Sequence, residues 1–457
     1  MLKKVIKDVF DANLKKQLDN IDTNENVMNY VNLLSSLDES LCSIARTSLK
    51  TIFESLDHSS KISRERKSKY DIKSSHERTI LTVFGEITYK RTFYTSKVNS
   101  KNYCYVDRLL GLHKYDYFDP YIKALIIEYS ANNSMPKTAT IVNDLIGNRI
   151  SIDAKFKLIS RQTVRNIIMN SKISEVKVQR IENEVEELYI IADEKWIHTQ
   201  NNNHQDVMEK SIVIFEGIEE HALQNKMIFS SLDKTFLDDA LNYVVDKYDP
   251  DLIKRIYLMG DGASWIKNLR HELRFREGLE VIYGLDKFHF KQALHHLCFH
   301  EELEIIARSY VLSDNKKAFN ELCETLIKEH FHRKDTIEEK QKYIINNWSF
   351  INNMYKYKLS CPMESQISHN LADFFTSRPK GFAIDTIKKL TTLRMLFKNN
   401  FSIKKLFLNN FNSSDILTIN KEHFNFDIFE RKSSSLNFFI KDPIYPIPYD
   451  NSYHPSH

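Results

Sequence analysis

Leu188-Tyr189-Ile190-Ile191-Ala192-Asp193 and Arg255-Ile256-Tyr257-Leu258-Met259-Gly260-Asp261 are two short apolar runs, each closed by an aspartate. Runs of this length, rich in β-branched and aromatic residues, read as strands buried on both faces. Outward from them, KSIVIFEGI (210–218) and KMIFSSLD (226–233) add two more strands. FLDDALNYVVDKY (236–248) has the period of an amphipathic helix, and LEVIYGLD (279–286) is a last strand. An ionised side chain directly after a buried apolar run belongs at the carboxyl edge of a sheet, where open α/β sheets place their ligands. If the two strands are neighbours, Asp193 and Asp261 converge, and without compensation one of them takes up a proton. A divalent cation removes that conflict, and hard oxygen donors favour Mg²⁺ or Mn²⁺ over zinc. The competing reading is that each aspartate caps a following helix, for which Gly262-Ala263-Ser264 suits Asp261.

Three strands, helix, strand, helix, strand is the order of an RNase H-like mixed-sheet core, so the expected class is a multidomain α+β or α/β protein. Residues 287–358 then turn helical and polar, an all-α insertion. A third carboxylate would complete a metal site. Glu364 is a candidate, since Pro362 suits the first turn of a helix and Glu364 would lie near its positive end. Spacing alone does not choose it over Glu321, Glu324 or Glu329. His289, His296 and His300 share a helical spacing with His295 beside them, which a partly polar helix face explains as well as zinc does. Trp265 fits burial against the sheet better than stacking on a distorted base.

Upstream, NVMNYVNLLSSL (26–37) and LCSIARTSLKTIFESL (41–56) repeat apolar residues three and four apart, as helices do. A charged run (61–78) leads into TILTVFGEITYKRTFY (79–94), which alternates around Phe84-Gly85-Glu86 and predicts a basic hairpin. Helices follow from Pro120 and up to Gly147, and Ser160 caps a third whose buried face is Val164, Ile167 and Ile168. That third helix turns Arg161, Gln162, Arg165 and Asn166 outward, the pattern of a helix-turn-helix reader of DNA.

The net charge of +4 hides a pattern. Lys and Arg against Asp and Glu give −2 over residues 1–60, +12 over 61–180, −10 over 181–370 and +4 over 371–457. A basic region joined to an acidic one points to polyanion binding beside cation binding. No window approaches a membrane-spanning length of apolar residues, and the start has charges inside its apolar pattern, unlike a secretory signal. The five cysteines never form CxxC, which fits a reducing compartment and a cytoplasmic protein. No Ser-His or Cys-His arrangement suggests a protein nucleophile. A carboxylate-pair glycosidase lacks its aromatic sugar platforms here, and a resolvase or ribonuclease would not need the basic N-terminal third.

Five blocks carry a family likeness: RTILTVFGEITYKRTFY (78–94), ISRQTVRNI (159–167), ADEKWIHTQ (192–200), GDGASWIKNL (260–269) with LDKFHFKQAL (285–294), and ESQISHNLADFFTSRPKGF (364–382). In content and order they resemble the DDE transposases of a group of bacterial insertion sequences, found mainly in low-GC Gram-positive bacteria and long catalogued as an uncharacterised protein family. The resemblance implies an RNase H-like core in which Asp193, Asp261 and Glu364 are the catalytic triad and hold two Mg²⁺ or Mn²⁺ ions. It implies Asp286 and His289 as supporting residues, from a C/DxxH pattern after the last strand. Arg378 and Lys380 in SRPKGF would contact phosphates. The expected partners are terminal inverted repeats and target DNA, with the protein a homo-oligomer on DNA and away from membranes. The alternative is an inactive transposase-derived or helix-turn-helix DNA-binding protein. The expected organisation is a helical segment (1–60), a basic DNA-binding region (61–180), the core (181–290), the helical insertion (291–358), helices carrying Glu364 (359–405) and an irregular tail (406–457).

Overall fold

The computed structural model describes residues 27–147, 159–174, 176, 185–200, 206–220, 222–233, 236–359, 373–376 and 381–411, with residues 7, 8, 11, 12 and 15. Glu364, Arg378 and Lys380 lie outside them. The chain divides into two compact units, residues 1–123 with 142–158 and 412–457, and residues 124–141 with 159–411.

In the first unit a long helix, α1 (Val27–Ile62), and a short one, α2 (Arg64–Lys69), precede a hairpin of β1 (Tyr70–Thr82) and β2 (Gly85–Ser96). β3 (Asn102–Tyr103) pairs antiparallel with β2, and α3 (Tyr105–Leu109) follows. Thr82 pairs with Gly85, so the turn is Val83-Phe84, one residue earlier than the sequence pattern suggests. Gly85 has φ 104°, a value that favours glycine. β1 also begins well inside the charged run. Its first half is mostly exposed, with Tyr70 and Ser74 half-buried, so it offers little alternation to read. Phe53 of α1 meets Tyr89 of β2 edge-on at 5.1 Å, within a core that includes Ile80, Ile87, Tyr94 and Val106.

Next come α4 (Pro120–Ser130), α5 (Met135–Gly147) and α6 (Arg161–Asn170). The Ser160 hydroxyl accepts the Thr163 N–H at 3.1 Å, the cap the sequence predicts, and Val164 and Ile168 are buried while Ile167 is half-buried. α5 ends at Gly147 and α6 begins at Arg161, with residues 148–158 between them outside the described ones.

The second unit is built on a mixed five-stranded sheet. Its strands are β4 (Glu187–Ile197), β5 (Val207–Phe215), β8 (Met227–Ser231), β9 (Arg255–Gly260) and β10 (Glu280–Leu285), with a small hairpin of β6 (Gly217–Glu219) and β7 (Ala222–Gln224) between β5 and β8. The order across the sheet is β10-β9-β4-β5-β8. β4, β9 and β10 run parallel, and β5 is antiparallel to β4 and to β8. α7 (Phe236–Lys247) joins β8 to β9, and α8 (Ser264–Glu272) joins β9 to β10. Alternation sorts each strand between two cores. Ile190, Ile212, Leu258 and Tyr283 pack with α7 and α8 on one face. Ile191, Val213, Met259 and Ile282 pack with Met354 and Leu359 on the other. Each such side chain, fully buried, contributes about 1.5–3 kcal/mol, which is why a one-residue slip in register is not tolerated.

Five helices follow: α9 (Lys287–Cys298), α10 (Glu301–Leu312), α11 (Lys316–Glu329), α12 (Lys334–Asn346) and α13 (Trp348–Lys356). They enclose their own core of Phe290, Leu297, Val311, Phe319, Cys323 and Trp348. Among the described residues beyond them are α14 (Asp373–Thr376), α15 (Ile384–Lys398) and α16 (Ile403–Leu408). α15 docks on β8 through Asn399, whose side-chain amide accepts from Ile228 N–H and donates to its carbonyl, both at 2.8 Å. No helix among the described residues is long and apolar enough to cross a membrane.

Candidate active site at the sheet edge

The parallel pairing of β4 with β9 ends at Ile191 opposite Met259, two residues before Asp193 and Asp261 respectively. Both aspartates therefore emerge at the same level of the carboxyl edge. Their surroundings differ from the simple picture of two strand ends. β9 stops at Gly260, but β4 runs on to Ile197 with β5 as its remaining partner, and Asp193 pairs with Ser211 within it. Asp193 is thus inside a strand and caps no helix. Gly260 lets the chains close up: a Cβ there would stand 2.9 Å from Ile266 side-chain atoms and 3.1 Å from the Ala192 carbonyl.

The Asp193 carboxylate accepts the backbone N–H of Glu194 at 2.8 Å. Burial pushes its pKa up to about 6, and the neighbouring Asp261 charge pushes the same way. Asp261 accepts the Ala263 N–H at 2.9 Å, an Asx-type turn that holds its carboxylate at the edge. The α12 helix braces this turn. The Tyr343 hydroxyl donates to the Asp261 carbonyl at 2.7 Å. Gly262 has φ 98°, and a Cβ there would lie 3.1 Å from Asn347 Oδ1.

Asp286 follows β10, its N–H bonded to the Gly260 carbonyl at 2.9 Å. It occupies the N-cap position of α9, yet its carboxylate caps no backbone group and instead meets His289 Nδ1 at 3.0 Å. His289 is half-buried and its pKa is raised, first by the hydrogen bond to Asp286, then by the charges of Asp286, Asp261 and Asp193. Four of the residues singled out from the sequence thus share one electrostatic neighbourhood: three carboxylates and one imidazole. Among the described residues no three metal-capable side chains form a ready-made cage. The donor chemistry nevertheless suits a hard cation, since two carboxylates sit at one edge and one of them is driven towards protonation by burial and by the other's charge.

Trp265 packs on the α7–α8 face, its ring 6.2 Å from Phe236 and its indole N–H donated to Glu194. Of the other histidines of α9, His295 bonds Glu304 at 2.8 Å rather than any residue of this site. Gln162 and Asn166 bond each other at 2.8 Å on the exposed side of α6. Arg161 and Arg165 instead line a cleft of about 600 Å³. Tyr343 and Asn347 escape sequence reading because nothing local marks residues more than 80 positions from the aspartate they support.

The fold and site define a mixed α/β protein with carboxylates gathered where parallel strands end. Residues 23–401 match the family described as "Uncharacterised protein family (UPF0236)", and the chain belongs to that family. UPF0236 proteins of Caldanaerobacter subterraneus subsp. tengcongensis are similar to it. One is 29% identical over 392 residues, 83% of this chain and 80% of that protein. Another is 28% identical over 417 residues, 86% of this chain and 84% of that protein, and its name runs over eleven loci of that genome. A solved structure, "Drosophila P element transposase strand transfer complex", shares 13% identity over 70% of this chain and 88% of that one, with a TM-score of 0.23.

Proposed function

We propose that the protein is a DDE-type DNA transposase of an insertion sequence, acting by metal-dependent cleavage at the element's ends and strand transfer to target DNA. The observation that carries the reading is the meeting of Asp193 and Asp261 where β4 and β9 end their parallel pairing. Three consecutive strands with the middle one reversed, then helix, strand, helix, strand, support an RNase H-like core. Relatives present at many loci of one genome fit an element that copies or moves itself.

Asp193, Asp261 and Glu364 would hold two Mg²⁺ or Mn²⁺ ions. The chemistry such ions would supply is activation of a water at the phosphodiester and stabilisation of the leaving 3′ oxygen. Asp193 contributes a carboxylate whose pKa burial already raises, and Asp261 one whose turn is fixed by Tyr343. Asp286 orients the His289 ring and favours its protonated form, placing a cation beside the acidic pair and the DNA phosphate. Arg161, Gln162, Arg165 and Asn166, with Arg378 and Lys380, would contact the DNA itself.

The test uses full-length protein and a labelled terminal-repeat duplex. Cleavage and strand transfer are expected with Mg²⁺ or Mn²⁺ and lost in EDTA. Asp193→Asn, Asp261→Asn and Glu364→Gln should each abolish both while leaving end binding largely intact. Full activity in any one of the three overturns the assignment. A wild type that binds ends and never cuts is instead an inactive transposase-derived or helix-turn-helix DNA-binding protein.

A further inference from the structure

Beside α6 lies a half-open cleft of about 600 Å³ whose lining includes Arg161, Arg165, Gln200, Phe374 and Phe382. The volume is that of a small-ligand site, within the usual ~300–1,000 Å³. Its chemistry is one-sided. Arg161 and Arg165 stand one helical turn apart, so their guanidinium groups reach the same space. Neither has a hydrogen-bond or ion-pair partner among the described residues. No described acidic side chain lines the cleft. Part of the remaining lining is aromatic and braced. The buried Arg394 guanidinium sits 4.6 Å from the Phe374 ring centre, and Phe375 packs edge-on to Phe374 at 5.2 Å and to Phe382 at 5.6 Å. The Gln200 N–H donates to the Phe382 carbonyl at 3.1 Å, tying this wall to the chain leaving β4. Gly381 permits that approach, since a Cβ there would fall 2.6 Å from Gln200 Cγ and 3.3 Å from its backbone N.

Two guanidiniums without a partner among the described residues, in one cleft with aromatic rings, are what an anion joined to a flat ring requires. We propose that this cleft is a nucleotide subsite: it takes one unstacked nucleotide of a DNA strand, its base against Phe374 and Phe382 and its phosphate on Arg161 and Arg165. The assignment of the occupant to DNA rests on the transposase reading above. Sequence-independent recognition of this kind combines cationic contacts to the backbone with stacking on aromatic side chains. It changes the role of Arg161 and Arg165 from reading base edges in a groove to holding a displaced nucleotide.

The experiment uses the full chain in EDTA, so that no cleavage enters the readout. Three probes are titrated: a duplex with an extrahelical 2-aminopurine, the same duplex with the 2-aminopurine paired, and free dAMP as competitor. The expected result is quenching of the extrahelical probe in the complex, with a much smaller change for the paired one. Arg161→Gln with Arg165→Gln should weaken binding of the extrahelical probe by about tenfold or more, and Phe382→Leu should diminish the quench. Arg165→Lys, which keeps the charge, should restore part of the binding lost in Arg165→Gln. Circular dichroism confirms that each variant is folded. Unchanged quenching and affinity in the folded double-arginine variant overturn the subsite. dAMP displacing the duplex at equal concentration overturns the assignment to a DNA strand in favour of a free nucleotide. A protein that binds the extrahelical probe as expected yet never cuts an end keeps the subsite and removes the catalytic reading.

Discussion

The two units bury charge in opposite ways. In the hairpin unit Asp107 bridges Arg78 at 2.9 Å and also pairs with Arg91, and a second Arg78 nitrogen donates to the carbonyls of His113 and Asp116, both at 2.8 Å. Asp57, also buried, accepts the Thr92 N–H at 2.7 Å and hydroxyl at 2.8 Å and pairs with Lys61 at 2.9 Å. Opposite charges there meet and close. At the sheet edge two carboxylates share one neighbourhood with His289 beside them, and burial, reinforced by the Asp261 charge, holds the Asp193 pKa at about 6. Compensated charge holds a fold together, whereas charge left only partly compensated at a half-buried edge is ready to receive something else.

The comparison breaks most readily at Asp107. Asp107→Ala leaves two buried guanidiniums without their carboxylate and should cost about 3–5 kcal/mol in urea unfolding. The matching change at the edge has the opposite sign. Asp193→Asn removes a destabilising charge, so the metal-free protein should gain about 1–2 kcal/mol, each pKa unit being worth about 1.4 kcal/mol. Thermal melts in EDTA measure this, and Mg²⁺ should then stabilise wild type more than the variant. If Asp193→Asn instead destabilises the metal-free chain, the two regions do not differ as described.

A third test sharpens the contrast within the hairpin unit itself, where Asp119 is an exception. Its carboxylate accepts the Ile122 N–H at 2.7 Å, while the adjacent Lys123 pairs with Asp116 at 2.6 Å. Burial pushes Asp119 up to about 6 from 3.8. A folded value above the unfolded one means that the stability it contributes is full below about pH 4 and lost as the pH rises through about 6. Asp119→Asn keeps the oxygen acceptor and should remove that part of the decline in melting temperature between about pH 4 and 6. The smallest effect is expected from Tyr343→Phe, which deletes the hydrogen bond to the Asp261 carbonyl and should cost about 1 kcal/mol. Cleavage should slow several-fold, with end binding unchanged, if α12 serves to position Asp261.

The buried strands were the legible part of this chain, because β-branched runs such as Ile190-Ile191 and Ile212-Val213-Ile214 admit few other readings. The level meeting of Asp193 and Asp261 followed once their strands were taken as neighbours. What stayed hidden was set by tertiary packing. The continuation of β4 past Asp193 depends on β5 outlasting β9 as its partner. The first half of β1 is mostly exposed, and the support from Tyr343 and Asn347 comes from a helix remote in the chain. The turn of Asp286 from helix cap to histidine partner is likewise a matter of where α9 lies.

β4 also fixes a length. Gln200, at the mouth of the arginine-lined cleft, is seven residues beyond Asp193. A chain reaches at most about 3.6 Å per residue, so the two are no more than about 25 Å apart. In the proposed complex a straight stacked strand, rising about 3.4 Å per nucleotide, would span that distance in roughly seven steps. Under the proposed function the overhanging strand would be a ruler, setting how far from a cut an element's end is gripped.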